Sequence, residues 1–127
     1  MRAIFAFLLT GLIIVFGGAE TWAADATKYP AKIALVIGNA RYPDNDVVLN
    51  DAANDAKDVA DELKRNGFVV DTQMNLTGEA MRQALDRLYA KIEQGSVLLF
   101  FDGFGIQSGR QTYLLPVDAQ IWTEPDV

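Results

Sequence analysis

Five uninterrupted apolar residues, Val97–Phe101 (VLLFF), stand between Gly95 and the glycine-rich stretch Asp102–Gly105 (DGFG). A run this short, bounded by glycines and carrying Val97, Phe100 and Phe101, reads as a strand. A strand that is apolar at every position, not at every second one, needs cover on both faces. The chain must therefore build layers, with helices above and below a sheet.

The rest of the sequence supplies those layers. Lys32–Ile37 (KIALVI), ended by Gly38 and Asn39, is a second near-continuous apolar run and the natural first strand of the sheet. From Asn50 or Asp51, either of which can cap, Ala52, Ala56, Val59, Ala60 and Leu63 recur at helical spacing, and Gly67 provides a stop. Phe68–Val70 restarts a strand. Thr77 then caps a second helix, whose face is traced by Met81, Ala84, Leu85, Leu88, Tyr89 and Ile92 before Gly95. Strands alternating with helices in this way predict right-handed crossovers and a parallel sheet covered on both faces, an α/β fold. Asp102–Gly105 reads as a Gly-x-Gly turn leading to a short polar hairpin and then Tyr113–Ala119 (YLLPVDA).

The first residues have a different character. Met1 and Arg2, the apolar run Ala3–Phe16 and the small residues Gly17, Gly18 and Ala19 have the layout of a secretory signal peptide, residues 1–23. Thr21 and Ala23 suit a cut after Ala23, and a cut after Ala19 is the alternative. As a membrane anchor the run falls short of the roughly 20 residues that a helix needs to span a bilayer. The expected product is exported, periplasmic or secreted, with residues 24–31 as a linker before a domain at 32–127. With no cysteine in the chain, it can use neither disulfides nor a lipid anchor on sulfur. Its formal charge of −6 argues against nucleic acid and against anionic membrane as partners. No GxGxxG or Walker pattern occurs, so no cofactor is expected. Asp44, Asp46, Asp51, Asp55 and Asp58 do not follow the spacing of a calcium loop and read as a solvated acidic face, with no metal expected.

Three stretches carry a resemblance. Gly38–Tyr42 (GNARY), Leu49–Ala56 (LNDAANDA) and Val97–Ala119 together resemble the caspase-like cysteine peptidase family, in its bacterial metacaspase-like branch. From Lys32 to about Ala119 the resemblance implies the first half of a three-layer, Rossmann-like sheet with strand order beginning 2-1-3. A crevice is then expected at the carboxyl ends of the strands, between Gly38–Asn50 and Asp102–Gly105. In the family the turn after the VLLFF-like strand reads Tyr-Ala/Ser-Gly-His-Gly, and its His is the catalytic base. Phe104 stands at that position here. The nucleophilic Cys of the family would follow roughly 50 residues later, beyond Val127.

The chemistry requires both groups. A thiol attacks as thiolate, and an adjacent imidazole must take its proton and return it to the leaving amine. With neither His nor Cys in the chain, the resemblance implies an inactive homologue that acts as a binding or regulatory module. Two alternatives remain open: a split peptidase whose Cys and His come from another chain, and a flavodoxin-like module for a small ligand. The resemblance also places Asp55 in an acidic pocket that accepts an Arg or Lys side chain, bordered by Asp102 where the family has Ala or Ser. The plainer reading of Asn50, Asp51 and Asp55 is that they favour the first turn of a helix electrostatically. Lastly, the absence of a following strand leaves the outer edge of Val97–Phe101 unpaired, which invites a protein partner or self-association.

Overall fold

The computed structural model describes residues 5–16, 32–43 and 48–120. In chain order these form β1 (Phe5–Phe16), β2 (Lys32–Gly38), α1 (Asn50–Arg65), β3 (Val69–Met74), α2 (Gly78–Tyr89), β4 (Ser96–Ser108) and β5 (Gln111–Leu114), with a 3-10 turn at Ile92–Gln94. Met1 and Arg2, the exit Gly17–Ala23, the linker 24–31, Asp44 and Asp46 lie outside the described residues.

Strands β3, β2 and β4 lie side by side and parallel, with β2 in the middle. This is the 2-1-3 order expected from the resemblance, and the α/β layering holds. Alternate residues of the central strands serve opposite layers. Ile33, Leu35, Ile37, Val97, Leu99 and Phe101 pack against Met81, Ala84 and Leu88 of α2. Val36 and Phe100 pack against Ala56 and Ala60 of α1. The small buried face of α1 lets that helix lie close to the sheet, and β2 ends in glycine for the same reason. A Cβ on Gly38 would stand 2.8 Å from both the Ala52 carbonyl oxygen and the Ala56 methyl.

Several local expectations give way to the structure. The sheet is mixed, not parallel throughout, because β1 and β5 both run antiparallel to β4. The cap position of α1 is Leu49, which offers no side-chain cap, and not Asn50 or Asp51. A hydrogen bond from the Leu49 N–H to the Ala40 carbonyl, 3.0 Å, fixes the entry of the helix one residue early. Helix α2 does begin at the Thr77 cap, whose hydroxyl accepts from the Ala80 N–H at 3.3 Å, but it ends at Tyr89. Tyr89 and Ile92 are consequently exposed and outside the core.

The largest correction concerns Asp102–Gly105, which is not a turn. Strand β4 passes straight through it to Ser108, and neither Gly103 nor Gly105 takes a positive φ. The glycine at 103 answers crowding: a Cβ there would lie 2.6 Å from the Tyr42 hydroxyl and 2.9 Å from the Phe101 ring. The chain reverses at Gly109 (φ 61°) instead.

The outer edge of Val97–Phe101, expected to be unpaired, is paired as well. Strand β1 lies along it from Phe16 opposite Val97 to Phe5 opposite Gln107. The register slips once, between Leu9 and Leu12, so that Thr10 and Gly11 stand against Asp102 as a bulge. A segment rich in Phe, Ile, Val and Leu suits a strand as well as it suits the apolar part of a leader. No helix among the described residues is long and apolar enough to cross a membrane.

Candidate functional site

At the carboxyl end of β2 the neighbouring strands part company. Gly38 is the last residue of β2 and sits opposite Asp102, while β4 continues beyond it to pair with β5. The end of β2 is where the reversal of strand order leads one to expect a crevice. Four chain segments close around it, and a short network of hydrogen bonds ties them together.

Asn39 is the centre of that network. It is fully buried, and a buried amide must be satisfied. Its main-chain N–H donates to the Asp102 carbonyl at 2.8 Å. Its Oδ1 accepts from the Leu76 N–H at 2.9 Å, and its Nδ2 donates to the Leu115 carbonyl at 3.1 Å. One side chain thereby joins the ends of β2 and β3 to the segment after β5. Asn75, in the left-handed region at φ 54°, adds a second tie, since its Oδ1 accepts from the Ala40 and Arg41 N–H groups, both at 3.0 Å.

Tyr42 forms the other wall. Its hydroxyl donates to the Leu115 carbonyl at 2.9 Å and accepts from the Phe104 N–H at 2.9 Å. The Phe104 ring, half-buried, meets the Tyr42 ring edge-on, with 4.8 Å between centroids. Burial pushes the Tyr42 hydroxyl above its ordinary pKa, so it acts as a hydrogen-bonding strut and not as a nucleophile.

The crevice floor is acidic. Asp102 of β4 is 2 % exposed, and its carboxyl meets that of Asp55, which α1 presents from the first half of its length. Burial, followed by the charge and hydrogen bond of Asp55 and the charge of Asp51, pushes Asp102 up to about 6. A second acidic side chain this close makes ionising Asp102 harder still. Asp51 itself is exposed. Among the described residues no three His, Cys, Asp or Glu side chains gather as a metal site. The arrangement sets one buried carboxyl, that of Asp102, against a second acidic side chain.

The structure thus brings Asp55 against Asp102, while Phe104, two residues further along β4, packs on Tyr42. The sequence reading took Asn39 only as the end of a strand and gave neither it nor Tyr42 a role beyond the family resemblance. The signal was present in the Gly-Asn-x-x-Tyr pattern of Gly38–Tyr42, whose two polar residues both point to Leu115.

The model of the peptidase C14 family, described as a caspase domain, matches residues 31–124. No curated protein and no solved structure gives a match.

Proposed function

The chain belongs to the peptidase C14 caspase-domain family, and from that premise we propose that it is an exported, non-catalytic member that binds a basic side chain without cleaving next to it. The observation that carries this reading is the occupant of the crevice. Where the family resemblance puts the catalytic His, Phe104 lies edge-on against Tyr42 with its N–H held by the Tyr42 hydroxyl. An aromatic pair there leaves no base, and the sequence contains no thiol to be activated.

What survives is recognition. The paired carboxyls of Asp55 and Asp102 form a negative, largely dry site suited to one Arg or Lys side chain, where a charge-assisted hydrogen bond is stronger than in water. Because the Asp102 carboxyl is pushed up to about 6, it adds its negative charge to the site only above that pH. Affinity for a cation should therefore rise with pH through that value.

A single titration tests both halves. A fluorogenic Arg peptide should bind saturably, as read by anisotropy, with no release of fluorophore above a buffer blank. Binding should weaken on acidification through pH 6 and disappear in Asp55→Asn. Release that survives repurification would overturn the non-catalytic reading, and equal affinity for a neutral peptide would overturn the acidic pocket. Turnover that appears only on adding a second chain carrying Cys and His would favour the split-peptidase alternative.

A further inference from the structure

Strand β1 is the segment whose sequence has the layout of a signal peptide, and it is also the strand that closes the β4 edge. Those two roles exclude each other. A cut between Phe16 and Lys32 separates β1 from the domain, and the row of β4 main-chain groups that β1 satisfies, from Val97 to Gln107, then has no partner among the described residues. No other described strand can replace it, because β5 lies on the opposite side of β4 and reaches only Gly105–Ser108.

We propose that residues 5–16 are a removable edge strand and that their removal turns β4 into a two-fold interface with a second copy of this chain. The inference rests on the exported reading above only for the agent that removes the segment. The choice of occupant comes from the strand itself. Its edge accepts an antiparallel neighbour along its length, as the pairing with β1 demonstrates. A second β4 is antiparallel to the first under a two-fold axis, so each copy satisfies the other with the same surface. The residues Val97–Phe101 carry no charge to oppose such pairing.

The register is constrained. An axis through Asp102 would set two buried carboxyls about 5 Å apart, directly opposite each other. An axis at Phe100 avoids this, placing Val97 of one copy against Gly103 of the other and Asp102 against Leu98. The free edge of β3, by contrast, carries Asp71, Thr72 and Gln73, and a charge on an edge discourages pairing.

The experiment uses the full chain with a protease site inserted between Phe16 and Lys32, folded first and cut afterwards. Sedimentation should show a monomer before the cut and a doubling of mass after it. A synthetic peptide of residues 5–16 flanked by lysines should return the cut protein to monomer. In the uncut chain, the pair Leu8→Pro and Leu9→Pro should also give dimer, since adjacent residues point their N–H groups to opposite sides and one proline must remove a donor facing β4. A cut protein that stays monomeric, whether or not it retains the segment, overturns the proposal. So does association into larger species that the peptide does not reverse. Intact mass of the exported protein is a separate arm: an N-terminus still at Met1 overturns export alone and leaves the edge result standing.

Discussion

The lower half of the sheet and its upper rim are stabilised by different physics. Below the level of Gly38 the contacts are apolar and redundant, with Leu35, Ile37, Val97 and Phe101 all buried beneath α2. At the rim the segments meet through a few directional bonds centred on Asn39 and Tyr42, and one carboxyl is buried there at a cost. Burial of area tolerates small displacements, whereas a hydrogen-bonded junction does not. The difference teaches that this fold can lose its rim without losing its core. The position that carries chemistry in the family is therefore free to change while the sheet persists.

The contrast is broken most severely from below. Phe101→Ala removes the largest fully buried side chain and should cost about 3–5 kcal/mol. Denaturant melts should show the whole domain losing stability, rim and core together. Were amide exchange to accelerate only at the rim, the two regions would not be related as described.

Asn39→Ala attacks the junction itself. It leaves the Leu76 N–H without its acceptor and deprives the Leu115 carbonyl of one donor, at an expected cost of about 2–4 kcal/mol. Here exchange should accelerate first at Leu76, Phe104 and Leu115, before the amides of β2. Uniform acceleration would mean that rim and core unfold as one unit.

Asp102→Asn sharpens the comparison with the smallest change. The folded protein raises this carboxyl from 3.8 to about 6, so it binds its proton more tightly than the unfolded chain does. The stability contributed by that proton is complete below the unfolded value and is lost as the pH rises through about 6. Relative to the parent, the variant should be more stable by on the order of 2 kcal/mol at about pH 8 and nearly equal to it at about pH 4. A difference independent of pH would remove burial of this charge as a feature of the rim.

The same division governs what could be read from the sequence. The core strands, the face of α1, that of α2 as far as Leu88 and the Thr77 cap follow from local patterns, because apolar spacing is a direct record of what each element buries. Asp55 and Asp102 were likewise placed together through the family resemblance. The rim was harder to read. Asp102–Gly105 has the composition of a turn, but Gly103 is small because Tyr42 lies against it, and that contact joins residues far apart in sequence. The start of α1 was misjudged by one or two residues because Ala40, outside the helix, sets where Leu49 enters. The role of Phe5–Phe16 could not be read locally either, since an apolar run has the same composition in a leader and in an edge strand.

That first strand also has a timetable. Phe16 pairs with Val97 and Phe5 with Gln107, so the segment leaves the ribosome well before its partner exists. At about 5–20 residues per second the interval is roughly 5–20 seconds. Throughout that interval the segment is an unattached apolar chain, available to any receptor that captures such sequences. Once β4 has emerged, the sheet competes for it. The order of synthesis therefore gives any receptor for apolar segments first access to this one, before the sheet can claim it.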